Sequence, residues 1–282
     1  MASEGKWQHQ HKRTGIVWAR AIVALEIICV AAVVVPLIIW SCASAWAWPD
    51  LLPASTTLRG FRAFLQDMGG SGAALLAQSV GLSCTAALLT TAAATLAARA
   101  LVRSDWRGKQ IFEFSTLIPF LVPGTVFAMG VQVIFIRLGL TATPLGVILA
   151  HAVVCLPYAV GIMVDITRAL GTRYDEAAQT LGANSIYRLR FVTLPLLAPG
   201  LSSSFCMCYI VSFSQYFLTL LVGAGRVKTF ATVMFPYLSG GDRTIIGAYA
   251  VVFLLVNTLV YAVFELGGKR VWQSVAKDLY AR

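Results

Sequence analysis

The chain alternates long apolar runs with short polar segments that carry most of its charge. An α-helix rises about 1.5 Å per residue, so roughly 20 consecutive apolar residues cross the ~30 Å hydrocarbon core of a bilayer. Six runs reach this length. They cover approximately residues 21–43, 74–98, 111–136, 144–166, 198–222 and 244–266. Because lipid offers no hydrogen bonds to an irregular backbone, we predict an all-α integral membrane protein with six transmembrane helices.

The first apolar run has a second interpretation, as a cleaved signal peptide. The segment Ala43–Ala45 loosely fits a signal-peptidase site. A signal sequence, however, has an apolar core of only about 7–15 residues, which is shorter than the run at 21–43. We therefore expect a retained membrane helix.

Composition supports a membrane location and argues against nucleic acid as a partner. Hydrophobic residues make up 58% of the chain and charged residues 12%, whereas soluble domains are about 25% charged. The formal charge is +10, but the basic residues are dispersed between apolar runs, as in the loops of membrane proteins. The six cysteines lie in or beside apolar runs without metal-ligand or disulfide spacing, so we expect them to be small core residues.

The distribution of basic residues predicts the orientation. Of the 22 lysines and arginines, 16 lie in the N-terminal segment, the loops after the second and fourth runs, and the C-terminal tail. By the positive-inside rule these parts face the cytoplasm, and so do both termini. We divide the chain into a cytoplasmic segment 1–20, a six-helix domain 21–266 and a cytoplasmic tail 267–282.

The polar loop 172–195, between the fourth and fifth runs, is long for a chain of this kind. Thr172 is placed to cap a short helix, and Gly182 suits the position that ends it. Asn184 or Ser185 can cap a second short helix, and a proline then interrupts the chain before the fifth run. From periodicity alone, an interfacial helix that merely seals the bundle is an equal alternative to a functional element.

A motif in this loop favours the functional alternative. Glu176–Ala178 is followed after three residues by Gly182, and after nine more by Val192–Pro195. This spacing resembles the EAA loop of ATP-binding-cassette (ABC) importer permeases, whose pattern is E-A-A, three residues, G, nine residues, I-x-L-P. Only the isoleucine differs, since Val192 takes its place.

The resemblance extends over most of the chain, because permeases of the maltose and polyamine importers also have six spans and cytoplasmic termini. It implies a type I ABC importer permease in a bacterial inner membrane, forming half of a pathway with a second, identical or homologous permease. A cytoplasmic ABC ATPase dimer would bind ATP and Mg²⁺, and a periplasmic solute-binding protein would deliver a small polar solute. The stretches 212–230 and 241–243 are similar to the polyamine, iron and aminophosphonate branch.

In that family the EAA loop is a coupling helix that docks into a cleft on the ATPase. The residues that the resemblance assigns to coupling are Glu176, Ala177, Ala178, Gly182, Leu194 and Pro195. The glutamate would pair with a basic group, the two alanines would allow close approach, and the glycine would make the turn. The Leu-Pro pair would join the loop to the fifth span.

The chain lacks the motifs of an enzyme or of an ATP site. Its nearest approach to a phosphate-binding G-x-x-x-x-G-K-[ST] loop, at 223–229, has no glycine before the lysine, and no metalloprotease or serine-hydrolase motif occurs. We therefore expect no cofactor on this chain and ATP hydrolysis by a partner. A six-span secondary transporter or channel is the alternative; it would need inverted repeats or a carboxylate at the membrane centre, and the sequence displays neither.

Polar and helix-breaking residues inside the runs are candidates for the translocation pathway, because a polar group in lipid needs a partner or water. The candidates are Pro123, Gly124, Gln132, Ser212, Ser214, Gln215, Tyr216 and Asn257. For any one of them, helix–helix hydrogen bonding is an equal alternative. We interpret His151 as a hydrogen-bonded packing residue, and the role of Glu26 stays open.

Charges at the edges of the runs are expected to be structural. Three acid–base pairs stand at helical contact spacing near the cytoplasmic boundary. They are Lys109 with Glu113, Asp165 with Arg168, and Glu265 with Lys269. Asp242 precedes the sixth run and is predicted to cap it.

Overall fold

The computed structural model describes residues 2–46, 50, 53–70 and 72–280, which are predominantly helical. In chain order the elements are α1 (Ala2–Cys42), β1 (Ala43–Ala45), β2 (Ser55–Thr56), α2 (Arg59–Gly70), α3 (Gly72–Arg103), α4 (Lys109–Thr116), α5 (Ile118–Leu121), α6 (Gly124–Arg137), α7 (Pro144–Leu170), α8 (Arg173–Thr180), α9 (Ser185–Tyr187), a π-helical segment (Arg188–Thr193), α10 (Leu194–Leu196), α11 (Ala198–Phe213), α12 (Phe217–Gly223), α13 (Phe230–Gly240) and α14 (Arg243–Tyr280). The chain divides into two compact units, Met1–Asp67 with Gly241–Phe253, and Met68–Gly240 with Leu254–Arg282.

In the first unit, the start of α14 is capped as the sequence predicts. The Asp242 Oδ1 atom accepts hydrogen bonds from the amides of Thr244 (3.2 Å) and Ile245 (3.3 Å). Both oxygens of this carboxylate also accept from the Nη2 atom of Arg59, Oδ1 at 3.0 Å and Oδ2 at 2.8 Å. The Thr244 hydroxyl donates to the carbonyl of Ala43 at 2.6 Å, so this helix start is tied to β1.

The predicted domain limits do not coincide with helix ends. The limit at residue 20 lies inside α1, and the limit at residue 266 lies inside α14. Within the predicted terminal segments, residues 1, 281 and 282 fall outside the described residues. The apolar parts of the two helices are Trp18–Cys42 and Arg243–Arg270, so the limits remain predictions from hydropathy. Glu26 is exposed on α1.

The second unit is built around α3. Its buried residues recur at helical spacing and are mostly alanine, serine and threonine, which lets neighbouring helices approach closely. Side-chain hydrogen bonds join it to three other segments. Thr90 donates to a carbonyl of α7 at 3.4 Å, Thr91 meets Ser204 of α11 at 3.3 Å, and the Ser79 hydroxyl accepts from the amide of Phe230 at 2.7 Å. Moving α3 would therefore disturb α7, α11 and the start of α13.

Within the described residues, four helices are long and apolar enough to cross a membrane by length and composition. They are Trp18–Cys42, Gly72–Arg103, Pro144–Leu170 and Arg243–Arg270. A bent pair, Ser185–Leu196 with Ala198–Phe213, would be a fifth if it formed one span. The described residues thus confirm the helical membrane character, whereas two of the six predicted spans are not continuous helices.

The predicted third span, 111–136, consists of α4, α5 and α6. The backbone of Val122 is extended (φ −94°, ψ 134°), as expected for a residue that precedes a proline. Pro123 then takes the N-cap position of α6. Pro123 and Gly124, two of the helix-breaking candidates, thus stand where the helix is broken.

The predicted fifth span, 198–222, is interrupted at Ser214–Tyr216, between α11 and α12. His151 of α7, which is 1% exposed, connects the two parts. Its Nδ1 atom lies 2.8 Å from the Ser212 hydroxyl, and its Nε2 atom 2.8 Å from the Thr219 hydroxyl. The interpretation of His151 as a hydrogen-bonded packing residue is therefore confirmed.

The hydrogen bonds define which imidazole nitrogen is protonated. The Thr219 hydroxyl donates its one hydrogen to the carbonyl of Gln215 at 2.7 Å, so it accepts from Nε2–H of His151. In a neutral imidazole Nδ1 then has no hydrogen and accepts from the Ser212 hydroxyl. This chain of hydrogen bonds gives the carbonyl of Gln215 a partner at the helix break, where the regular backbone hydrogen bonds of the helix are interrupted.

Two of the three predicted boundary ion pairs are wrong. Lys109 pairs with Asp105 at 3.4 Å, and Glu113 pairs with Arg168 of α7 at 3.2 Å. The third prediction is confirmed, because Glu265 and Lys269 lie 3.2 Å apart. Helical spacing predicted partners within one helix, but α4 begins only at Lys109, and packing against α7 gives its glutamate a different partner.

We predict that Ser212→Ala lowers the stability of the unit by about 1–2 kcal/mol, because it leaves the buried Nδ1 of His151 without a donor. Ser214→Ala is a matched control, since its exposed hydroxyl donates only to a carbonyl three residues earlier, that of Val211, at 3.0 Å. Thermal unfolding in detergent measures the difference in stability, with labelling of the buried thiols of Cys155 and Cys208 as the readout of unfolding. Equal unfolding midpoints for the two variants would contradict a stabilising role of the hydrogen bond between His151 and Ser212.

Candidate functional site

The EAA segment forms α8, which ends in a turn that requires glycine. The amide of Gly182 donates to Gln179 and the amide of Ala183 to Ala178, both at 3.0 Å, which is the Schellman arrangement. Gly182 has φ 82°, a left-handed conformation that is costly for other residues. The predicted turn at this position is therefore present. Thr172 occupies the N-cap position, but its side chain makes no capping hydrogen bond, so that part of the prediction is wrong.

The junction between α7 and α8 also depends on backbone conformation. Gly171 follows the last residue of α7 with φ 64° and ψ −161°, a region that only glycine adopts readily. Its amide still donates to the carbonyl of Thr167 at 3.2 Å, so the helical hydrogen bond to Thr167 is kept at this end. The chain therefore turns sharply from α7 into α8, over two residues.

The predicted coupling surface is exposed. Glu176 and Ala177 are exposed and Ala178 is half-buried, and α8 has no buried residue among those described. Large apolar side chains next to the motif are also exposed, with Leu181 at 88% and Ile186 at 77%. Exposed apolar side chains beside an acidic group are typical of a protein interface.

The second half of the loop differs from the prediction in one respect. The side chain of Asn184 caps α9, accepting from the amide of Tyr187 at 2.7 Å, which confirms one of the two predicted caps. Pro195, however, does not break the helix before it. A π-helical segment, Arg188–Thr193, precedes the proline and relieves the clash that its ring makes with the carbonyl four residues earlier in an α-helix. The break occurs at Leu197, where the axis turns by 69° into α11.

Asp175 connects α8 to two other elements. Its Oδ2 atom lies 2.6 Å from Arg103 at the end of α3 and 3.4 Å from Arg188 of the π-helical segment. Its Oδ1 atom accepts from the Thr193 hydroxyl at 3.4 Å. The three charged side chains are only 15–21% exposed. We refer to Arg103, Asp175, Arg188 and Thr193 as the Asp175 cluster.

Within the Asp175 cluster, Arg188 also holds the loop together internally. It donates to Gln179 of α8 at 2.8 Å and to Ser185 of α9 at 3.1 Å. The adjacent cavity has a volume of about 20 Å³, which holds one water-sized molecule and no solute. The loop is thus closely packed on the ends of α3 and α7.

A larger cavity lies at the two helix breaks in the second unit and measures about 400 Å³. Its walls come from Pro119, Gly124, Thr125, Phe127, Ala128, Val154, Gln215, Phe217 and Leu218. Of the predicted pathway residues, the cavity brings together Gly124 and Gln215. None of these described lining residues carries a charge, so the polar contacts come from Gln215 and Thr125.

The other predicted pathway residues lie elsewhere. Pro123 caps α6 next to the cavity, and Ser212 bonds to His151. The Gln132 amide donates to the carbonyl of Leu221 at 3.3 Å. Tyr216 stacks on Phe235 with ring centroids 3.6 Å apart. Ser214 donates to the carbonyl of Val211, and Asn257 is buried on α14; neither is among the residues that line this cavity.

Sequence reasoning missed the Asp175 cluster and Thr125. The local sequence pattern assigns no partner to Asp175, Arg103 or Arg188. A carboxylate beside the motif, facing a loop rich in arginine, was the available signal. The partner in α3 is 72 positions away in sequence and has no local pattern that identifies it.

Comparison with known proteins identifies the family. Residues 90–273 match the family described as binding-protein-dependent transport system inner membrane component. The chain is 26% identical over 188 residues to the spermidine/putrescine transport system permease protein PotC of Haemophilus influenzae, covering 67% of this chain and 73% of that protein. It is 29% identical over 187 residues to the putrescine transport system permease protein PotI of Escherichia coli strain K12, covering 62% and 66%.

Two further likenesses agree with this family. The ferric transport system permease protein FbpB of Actinobacillus pleuropneumoniae is 26% identical over 196 residues, which is 68% of this chain and 28% of that longer protein. The fold matches a chain of a bacterial ABC transporter involved in the import of the acidic polysaccharide alginate, with a TM-score of 0.64, 19% identity and coverage of 89% and 95%. The matched family segment contains the EAA loop and most of the second unit, and the chain therefore belongs to the binding-protein-dependent transport system inner membrane components.

Proposed function

We propose that this permease forms half of the import pathway for a small polar solute and that the loop 172–195 couples it to a cytoplasmic ABC ATPase. The observation that carries the proposal is an exposed EAA helix held rigidly by a Schellman turn on one side and the Asp175 cluster on the other. An exposed, rigid element leaving a membrane helix is suited to transmit a rigid-body motion.

The assembly would contain several partners. A second permease, identical or homologous, would complete the pathway, an ATPase dimer would bind ATP and Mg²⁺, and a periplasmic solute-binding protein would deliver the solute. Six spans with cytoplasmic termini follow from the positive-inside rule if the broken third and fifth segments each cross the bilayer in the complex. Membership of a binding-protein-dependent family weighs against a secondary transporter or channel.

The cavity of about 400 Å³ is the part of the pathway that this chain contributes. Several relatives transport polyamines or ferric iron by name, but the described walls are neutral. The cavity would therefore contact a polar solute through Gln215 and Thr125 rather than through an ion pair. Ion-pairing selectivity would lie with the binding protein or the second permease.

Charge reversal at Glu176 tests the coupling role. We expect Glu176→Lys to reduce co-purification of the ATPase at least about tenfold, because a lost interfacial ion pair is replaced by repulsion. Asp50→Lys makes the same charge change in a different loop and should have no effect. Pull-down of the ATPase with tagged permease from detergent-solubilised membranes measures both. If the Glu176 variant retained the ATPase and solute uptake, the loop would not be the coupling element.

The turn at Gly182 allows a second test. Gly182→Val should reduce ATPase binding strongly and Gly182→Asn less, because asparagine tolerates the left-handed conformation and a β-branched residue does not. Gly139→Val is the matched control, since Gly139 also has a positive φ (69°) and open space around it. ATPase bound per folded permease is the measurement. Equal losses for Gly182→Val and Gly139→Val would indicate general strain instead of a specific role of the loop.

The cavity is tested by Gln215→Leu. We expect the solute concentration for half-maximal uptake to rise about fivefold, the effect of one lost hydrogen bond, while ATPase binding is unchanged. Gln110→Leu, the same change at an exposed position on α4, is the control. Uptake into proteoliposomes with the solute-binding protein gives the values. Unchanged half-saturation in the Gln215 variant would remove this cavity from the pathway.

A further inference from the structure

We propose that the ion pair between Arg103 and Asp175 is a mechanical link that passes the movement of the coupling helix α8 directly to α3. This inference rests on the proposed coupling role of the loop. By chain connectivity alone, α8 can move only α7, through Gly171, and α11, through the π-helical segment. The Asp175 cluster adds a third helix that is distant in sequence.

The geometry of the ion pair between Arg103 and Asp175 indicates a strong contact that keeps α8 attached to α3 when either helix moves. Arg103 Nη1 and Asp175 Oδ2 are 2.6 Å apart, the short distance of a charge-assisted hydrogen bond. The two side chains are 21% and 15% exposed, so solvent screens the pair weakly. Breaking a shielded pair of this kind leaves a charge without compensation, which makes separation of α8 from α3 unfavourable.

The surrounding charges favour retention of the pair throughout a transport cycle. Arg99, one turn before Arg103 on α3, also interacts electrostatically with Asp175, as does Arg188. One carboxylate therefore bonds to two guanidinium groups and attracts a third. If α8 separated from α3, Arg99 and Arg103 would be left side by side without a counter-charge.

The position of Arg103 explains why such a link would matter. It is the last residue of α3, whose other residues bond to α7, α11 and the start of α13. A displacement applied at this end would therefore reach the elements around the central part of the second unit. Arg188, in contrast, bonds to α8 and α9 within the loop, so it maintains the shape of the loop and not its attachment.

Arg103→Met separates the attachment of the loop to α3, which depends on Arg103, from the shape of the loop, which depends on Arg188. In proteoliposomes with the ATPase and the binding protein, we expect the variant to retain the ATPase on co-purification, because the internal bonds of Arg188 remain. Solute uptake should fall on the order of tenfold, a typical coupling effect, and ATP consumed per solute should rise. Arg107→Met, an exposed arginine four positions further along, should behave like the unmodified protein.

A double-mutant cycle identifies the partner. Asp175→Asn combined with Arg103→Met should transport no worse than Asp175→Asn alone, because the link is already broken. Arg103→Lys should transport better than Arg103→Gln, since it keeps the charge. This second comparison remains decisive if the methionine variant fails to accumulate.

Three outcomes would overturn the inference: additive losses in the cycle, equal transport by the lysine and glutamine variants, or normal coupling in Arg103→Met. In each case Glu176→Lys distinguishes the two proposals. If it abolishes ATPase binding, the loop couples without this link. If the unmodified permease does not bind an ATPase, the proposed function itself is wrong.

Discussion

The structure depends on the requirement that backbone polar groups in an apolar environment have hydrogen-bond partners. Continuous helices satisfy it by themselves, as α3 does along its interior, which contains no proline. Where the chain departs from a helix, other groups supply the partners. At the break after α11, Thr219 donates to the carbonyl of Gln215 and is itself held by His151. Near the end of α12, Gln132 and the amide of Ala142 bond to the carbonyls of Leu221 and Val222.

This requirement explains why the cavity lies at the helix breaks. Where a helix is broken, some backbone N–H and C=O groups have no partner in the helix. Side chains also no longer follow one another at regular helical spacing, which leaves space next to these groups. The walls include Pro119 and Gly124 from one interrupted segment and Gln215 from the other. The loop 172–195 is in the opposite situation, because it is mostly exposed and packing alone does not make it rigid. The Asp175 cluster and two glycine turns take that role.

Much of the fold and part of the site could be predicted from the sequence. Hydropathy identified every long helix, and local capping and turn residues located α8, the turn at Gly182 and, as one of two alternatives, the cap at Asn184. Local patterns failed where tertiary packing chose the partner. Glu113 bonds to α7 and not to its neighbour Lys109, and Pro195 is accommodated by a π-helical segment and does not end the helix. Of eight residues proposed for the pathway, only Gly124 and Gln215 line the cavity, since polarity alone cannot distinguish a wall from a helix contact.

The π-helical segment has a consequence for the permitted length of this loop. It holds one more residue in its turn than an α-helix, as the bond from the amide of Leu194 to the carbonyl of Leu189 shows. Each residue of an α-helix advances the direction of its side chain by about 100°. Deleting one residue between Arg188 and Thr193 would restore the regular turn and rotate the EAA face away from its present direction. Insertions and deletions should therefore be far less acceptable here than substitutions.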